Sequence, residues 1–144
     1  MIELFKNHYI DFDYTEDKRG VLMCGALKNV YAILAGYKHL EYESGEWHSY
    51  LGAALDEIKG ILKLNGAQPK TAELVCGIGD LKITCYYPSR NYEFGRLISD
   101  DPKYTPTNTV EGLSALKRII NHEIKLPDDA VLMQQLIGLG RQWV

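Results

Sequence analysis

The stretch Gly25-Ala26-Leu27-Lys28-Asn29-Val30-Tyr31-Ala32-Ile33-Leu34-Ala35-Gly36 decides how the rest of the chain reads. It continues an apolar segment that begins at Val21, and its apolar residues fall nearly all round a helix. A helix without a polar face belongs at the centre of a domain. Lys28 and Asn29 nevertheless sit in its middle. An ammonium or an amide placed there needs either a route to water or a polar partner. The turns flanking both residues are built of small side chains, Gly25, Ala32, Ala35 and Gly36. Small residues make room for a neighbouring helix or for a ligand.

The remainder of the 144 residues reads mainly as helix. A first helix is expected over 17–36. A second starts near Gly45 and ends at Leu64-Asn65-Gly66, with Trp47, Leu51, Leu55, Ile58 and Leu62 as its apolar stripe. Gly66 suits the left-handed position that closes a helix. A third helix follows Pro69, and a fourth begins near Gly79 with Asp80 available as a cap. A fifth begins at Pro88-Ser89-Arg90-Asn91 with Ser89 as N-cap. Residues 108–120 supply a sixth, and 126–140 a seventh capped by Asp128 or Asp129. The one strand candidate is the alternating Tyr9-Ile10-Asp11-Phe12-Asp13-Tyr14. One strand cannot form a sheet, so it is expected to pair with something outside the helical region. The expected architecture is therefore all-α with a stray N-terminal strand: a strand and linker over 1–16, a helical domain over 17–144.

Composition narrows the function classes. With 46% hydrophobic and 24% charged residues the chain is of ordinary globular type. A net charge of −3 offers no electrostatic attraction to nucleic acid or an anionic membrane. No uncharged run reaches the roughly 20 residues that a membrane span requires, and the first residues carry acids rather than a basic-then-apolar leader. Cys24, Cys76 and Cys85 are odd in number and lack CxxC spacing, which fits reduced thiols in a cytoplasmic setting and no metal site.

A second unusual stretch is Cys76-Gly-Ile-Gly-Asp-Leu-Lys-Ile-Thr-Cys-Tyr-Tyr-Pro-Ser-Arg-Asn91. It contains neither a phosphate loop nor a GxGxxG fingerprint, so it binds no dinucleotide in the Rossmann manner. Arg90 falls in the first turn of a helix, where the dipole disfavours a cation unless an anion lies between them. A phosphate or carboxylate at this turn would satisfy both.

Three segments, "GVLMCGALKNVYAILAG", "AQPKTAELVCGIGDLKITCYYPSRNYEFG" and "TVEGLSALK", occur in this order. Together they resemble the C-terminal, all-α substrate domain of NAD(P)-dependent glycerol-3-phosphate dehydrogenase, of the 6-phosphogluconate dehydrogenase C-terminal-like class. The resemblance runs from about Leu4 to the end. It implies a preceding Rossmann domain, whose last strand would account for residues 9–14. It also implies roles. Lys28 is the catalytic acid–base at the C2 oxygen of glycerol 3-phosphate or dihydroxyacetone phosphate, and Asp80 its acidic partner. Asn29 and Thr84 lie near the substrate, while Ser89, Arg90 and Asn91 hold its phosphate. Arg90, Thr109 and Glu111 touch the NAD or NADP cofactor. Glu111 also stands at the end of an Asn108-x-x-Glu111 capping pattern, so a plain cap remains open for it.

The chain departs from the family at Leu22, where a glutamate is usual, and at Gly45 and Ala53, where asparagine and arginine are usual. With no glycine fingerprint in these residues, no tight cofactor binding and no activity of this chain alone are expected. A Rossmann partner in cis or trans is implied, with homodimer formation open. A non-catalytic helical module that keeps the fold is the alternative.

Overall fold

A computed structural model describes residues 14–86 and 88–144. All regular structure among them is helical. Helix α1 spans Lys18–Tyr37 and α2 spans Gly45–Leu64. A 3₁₀ turn over Pro69–Glu73 and a π turn over Val75–Gly79 lead into the short α3, Asp80–Thr84. Then come α4 (Arg90–Asp100), α5 (Glu111–Ile120) and α6 (Val131–Gly140), with a final 3₁₀ turn over Arg141–Trp143. The expected strand and the greater part of the expected 1–16 segment lie outside the described residues. Where a regular helix was expected after Pro69, the chain instead forms the 3₁₀ and π turns.

Helix α1 is the axis of the molecule. Cys24, Leu27 and every residue from Val30 to Gly36 are buried on it, and all five other α-helices touch it. By length and apolarity alone α1 could cross a bilayer, contrary to the sequence expectation, but more than half of it is buried inside the domain. Its start is fixed by Asp17. One carboxylate oxygen accepts from the Gly20 amide at 3.1 Å. The other accepts from the Gln68 amide at 2.9 Å and the Thr71 hydroxyl at 2.7 Å. The N-cap of α1 is thus also the anchor of the 3₁₀ turn.

Glycines set how closely the helices cross. A Cβ at Gly36 would lie 1.8 Å from the Tyr92 carbonyl oxygen, and one at Gly95 would lie 1.9 Å from that of Ile33. Helices α1 and α4 are therefore in backbone contact. Gly112 similarly lets α5 approach, since its Cβ would meet the Asn29 carbonyl oxygen at 2.7 Å. Of the small residues flanking Lys28 and Asn29, Gly36 admits a helix, whereas at Gly25 a Cβ would meet nothing within 4 Å.

The helix starts divide into two kinds. Ser44 caps α2 and Ser89 caps α4 through their own side chains, the latter as expected. Gly66 adopts φ 77° just after α2, also as expected. Asp128 and Asp129 do not cap α6, whose N-cap residue is Ala130. The acceptor there is Glu57 of α2, which takes the amides of Leu132 at 2.8 Å and Met133 at 3.0 Å while the Tyr31 hydroxyl donates to it at 3.0 Å. A carboxylate from a neighbouring helix meets both the free amides and the positive dipole end. Nor does Asn108 cap α5: its start is Val110, without a side-chain cap, and the Gly112 amide donates to Asn91 Oδ1 of α4 at 2.8 Å.

Two measurements check this packing. Gly36→Ala should lose at least about 2 kcal/mol of unfolding free energy, since overpacking here pushes on backbone. Gly25→Ala, with open space and better helix propensity, should gain up to about 1 kcal/mol. Denaturant melts of the two variants should move in opposite directions. The second concerns pH. The Thr71 hydroxyl above all, with the Gln68 and Gly20 amides and the Arg19 charge, holds the Asp17 carboxyl below its ordinary value despite partial desolvation. A depressed carboxylate pKa stabilises above its unfolded value of 3.8 and loses that effect as pH falls through the lower folded value. Asp17→Asn should therefore be less stable than wild type at neutral pH, and the difference should close below pH about 4.

Candidate functional site

Lys28 finds its partner fifty-two residues away. Its Nζ donates to Asp80 Oδ2 at 2.8 Å. Both side chains keep partial contact with water, at 25% and 34% exposure. Asp80 is the first residue of α3, yet no side chain caps that helix, and its carboxylate turns to α1 instead. Capping, the plainer reading of Asp80 in the sequence, is therefore set aside. The π turn before α3 delivers Asp80 to this place. Gly77 packs so tightly on the 3₁₀ turn that a Cβ would come within 2.0 Å of the Ala72 carbonyl oxygen.

Asn29, next on α1 and about 100° further round the helix, faces a second group. Its Nδ2 donates to the Gly25 carbonyl at 3.3 Å, and its Oδ1 accepts from Asn91 Nδ2 at 3.2 Å. Asn91 is only 4% exposed. Its Oδ1 takes the Gly112 amide, and its Nδ2 also lies 3.5 Å from Glu111 Oε2. The other Glu111 oxygen pairs with the Arg90 guanidinium. A continuous path of hydrogen bonds thus runs Asn29–Asn91–Glu111–Arg90. The anion that the Arg90 position called for is supplied by Glu111 in this structure. Glu111 is accordingly neither half of a capping box nor free.

The other expected site residues are placed as follows. The Thr84 hydroxyl donates to the Asp80 carbonyl at 2.7 Å, so it supports the backbone under Asp80 and retains only lone pairs for another donor. Ser89 Oγ accepts from the Tyr92 amide at 3.4 Å and opens α4. Thr109 is exposed and shares with Arg90, Pro88, Phe94, Tyr104 and Val110 the wall of a cavity of about 270 Å³. Gly25 leaves the α1 surface open one turn before Lys28 and Asn29.

Of the departures, Leu22 is 75% exposed on α1, Ala53 is exposed on α2, and a Cβ at Gly45 would meet nothing. No group of three or more His, Cys, Asp or Glu side chains that could hold a metal occurs among the described residues. Cys24 is buried and its thiol is pushed up to about 12, by desolvation first and by neighbouring Cys76 second.

Besides the pairing of Glu111 with Arg90, the sequence left one further contact unread. Trp47, read only as part of an apolar stripe, donates its indole N–H to the Cys85 carbonyl at 2.8 Å. The available signal was chemical: a buried indole usually finds an acceptor.

A family model described as NAD-dependent glycerol-3-phosphate dehydrogenase C-terminus matches residues 17–137. Among curated relatives, glycerol-3-phosphate dehydrogenase [NAD(P)+] of Neorickettsia sennetsu is 34% identical over 113 residues, covering 77% of this chain and 33% of that protein. The protein of the same name from Pseudomonas syringae pv. syringae is 34% identical over 132 residues, 87% of this chain and 38% of the relative. The chain thus spans little more than a third of the length of these relatives. The crystal structure of glycerol-3-phosphate dehydrogenase from Coxiella burnetii superposes with a TM-score of 0.70 at 23% identity, over 90% of this chain and 42% of that one, a likeness of fold. With the family model covering most of the helical region, the chain belongs to the family of NAD-dependent glycerol-3-phosphate dehydrogenase C-terminal domains.

Proposed function

We propose that this domain holds a three-carbon phosphate ester, glycerol 3-phosphate or dihydroxyacetone phosphate, for interconversion by an NAD(P)-dependent dehydrogenase. The observation that carries the reading is the 2.8 Å pair of Lys28 and Asp80 beside the Asn29–Asn91–Glu111–Arg90 path. Consecutive residues of one rigid helix, Lys28 and Asn29, belong one to each group.

Lys28 would hydrogen-bond the C2 oxygen. Its ammonium gives a proton to that oxygen as the ketone becomes an alcohol, and the amine takes it back in the reverse direction. Asp80 orients the ammonium and balances its charge. The ester phosphate would lie at the start of α4, where free amides and the dipole favour an anion, with Ser89 and Asn91 beside it. Arg90 is 67% exposed at its side chain, and its pair with Glu111 is a surface pair. Such pairs contribute at most about 1 kcal/mol, so exchanging the carboxylate for a phosphate, which takes a bidentate guanidinium, costs little.

The dinucleotide itself is expected to be held elsewhere than on these helices. The sequence has no glycine fingerprint. The cavity that Arg90 and Thr109 themselves line is only about 270 Å³, under the roughly 300–1,000 Å³ of small-ligand pockets. Arg90, Thr109 and Glu111 are proposed only to flank a cofactor held by a dinucleotide-binding domain, joined in cis or supplied in trans.

Titration of the chain with glycerol 3-phosphate should shift the amide resonances of Asn29, Ser89, Arg90 and Asn91, with weak affinity because Lys28, Asp80 and Arg90 all keep contact with water and small ligands need burial. Arg90→Ala should abolish these shifts and leave the circular dichroism unchanged. No shift at any of these residues in the wild type would favour the non-catalytic module. Assayed alone with dihydroxyacetone phosphate and reduced cofactor, the chain should show no turnover. Turnover by material free of contaminating enzyme would show that these residues hold the dinucleotide after all.

A further inference from the structure

The two ends of the proposed site stand on successive helices, Asp80 opening α3 and Arg90 opening α4. Helix α3 is only five residues long and has no side-chain cap. The residue that closes it, Cys85, is completely buried. An unpaired carbonyl there would be costly. Trp47 supplies the donor, at 2.8 Å. The indole is itself 1% exposed and cannot swing away. Its backbone is held at the start of α2, where its amide donates to Ser44 Oγ at 3.1 Å.

Aromatic contacts extend this anchor to Tyr86. The Tyr42 ring meets Trp47 edge-on with centroids 5.1 Å apart, and the Tyr86 ring centroid lies 4.9 Å from that of Tyr42. The Tyr86 carbonyl then accepts from the Ser89 amide at 3.0 Å. Ser89 caps the helix whose first residue is Arg90. Three contacts therefore lead from Trp47 to Ser89 beside Arg90, and the indole bond to Cys85 ties Trp47 to the end of the α3 helix of Asp80.

From this chain of contacts we propose that Trp47 is a positioning residue that sets the spacing between the Lys28–Asp80 pair and the Ser89–Arg90 turn, with Tyr42 and Tyr86 transmitting its hold. The proposal rests on the reading of the site given above. It assigns Trp47 no contact with the ligand. A ligand long enough to reach both ends feels the spacing, and one that occupies only the anion end does not. Trp47 therefore governs discrimination between a phosphate ester and inorganic phosphate, not affinity for phosphate as such.

The test compares sn-glycerol 3-phosphate with inorganic phosphate on wild type, Trp47→Phe and Tyr42→Ala. The first variant keeps an aromatic ring and removes the N–H. The second changes an exposed side chain and serves if the first fails to fold. Wild type should bind the ester about tenfold more tightly than phosphate, the worth of a charge-assisted hydrogen bond at the second end. In Trp47→Phe phosphate affinity should hold while that ratio falls to about twofold or less, and Tyr42→Ala should move part of the way. Hydrogen exchange without ligand gives an independent readout. The Ser89 amide should exchange at least about tenfold faster in Trp47→Phe, while amides of Ile33 and Leu34 in α1 keep their rates. An unchanged ester-to-phosphate ratio with unchanged Ser89 exchange overturns the proposal. So does an equal loss of both ligands with uniformly faster exchange, which marks an ordinary structural tryptophan. If wild type binds neither ligand the substrate reading fails, and exchange confined to Ser89 and its neighbours, or its absence, still decides whether Trp47 positions this turn.

Discussion

Helices α1 and α4 cross with so little space that neither Gly36 nor Gly95 could carry a Cβ, and the other placements follow from that contact. Backbone-to-backbone packing fixes both the separation and the rotation of α4 on α1, because sliding by one residue would drive a side chain into a carbonyl. Once α4 is fixed, Asn91 in its first turn is fixed against α1 as well. Asn91 then reaches Asn29 on one side and the Gly112 amide on the other. Gly112 in turn allows α5 close enough to α1 for that bond to form. Three glycines on three helices thus place the polar residues that adjoin Lys28.

Capping between helices gives the fold a second level of order. Asn91 of α4 caps α5, and Glu57 of α2 caps α6 while accepting from Tyr31 of α1. In each case the cap is a condition on tertiary structure, since the amides are satisfied only when the partner helix has arrived. The cap of α1 by Asp17 works on the same principle, because the same carboxylate binds the 3₁₀ turn at Gln68 and Thr71. Such shared acceptors link the start of a helix to the docking of its neighbour, so that local and global order form together. The site inherits this coupling through Asn91, whose one amide serves both the cap of α5 and the path from Asn29 towards Arg90.

Electrostatics within the site follow from how the helices end. Arg90 at the positive end of α4 is locally unfavourable, and the Glu111 carboxylate offsets this from the start of α5. Lys28 in an apolar helix is likewise balanced by Asp80 from the start of α3. Each cation therefore meets an acid that stands in the first turn of another helix, and each pair keeps some exposure to solvent. Ammonium and guanidinium remain accessible to an incoming oxygen without either being left unbalanced in its absence.

The all-α class, the central place of the first helix, the Ser89 cap and the left-handed Gly66 were legible in the sequence, because helical period and turn chemistry are properties of residues three or four apart. The family was legible too, from motif order. The caps of α5 and α6 were misread for the same reason. Asn108, Asp128 and Asp129 are the local candidates, whereas the acceptors used come from Asn91 and Glu57, 21 and 75 residues distant along the chain. The threefold demand on Glu57, the pairing of Glu111 with Arg90 and the donor role of Trp47 could not be read from spacing either. Sequence by itself determined which residues carry charge, hydrogen-bonding groups and helical preference. Which of them meet was decided by how closely the helix backbones could approach, and that depends on contacts between segments whose separation no local pattern encodes.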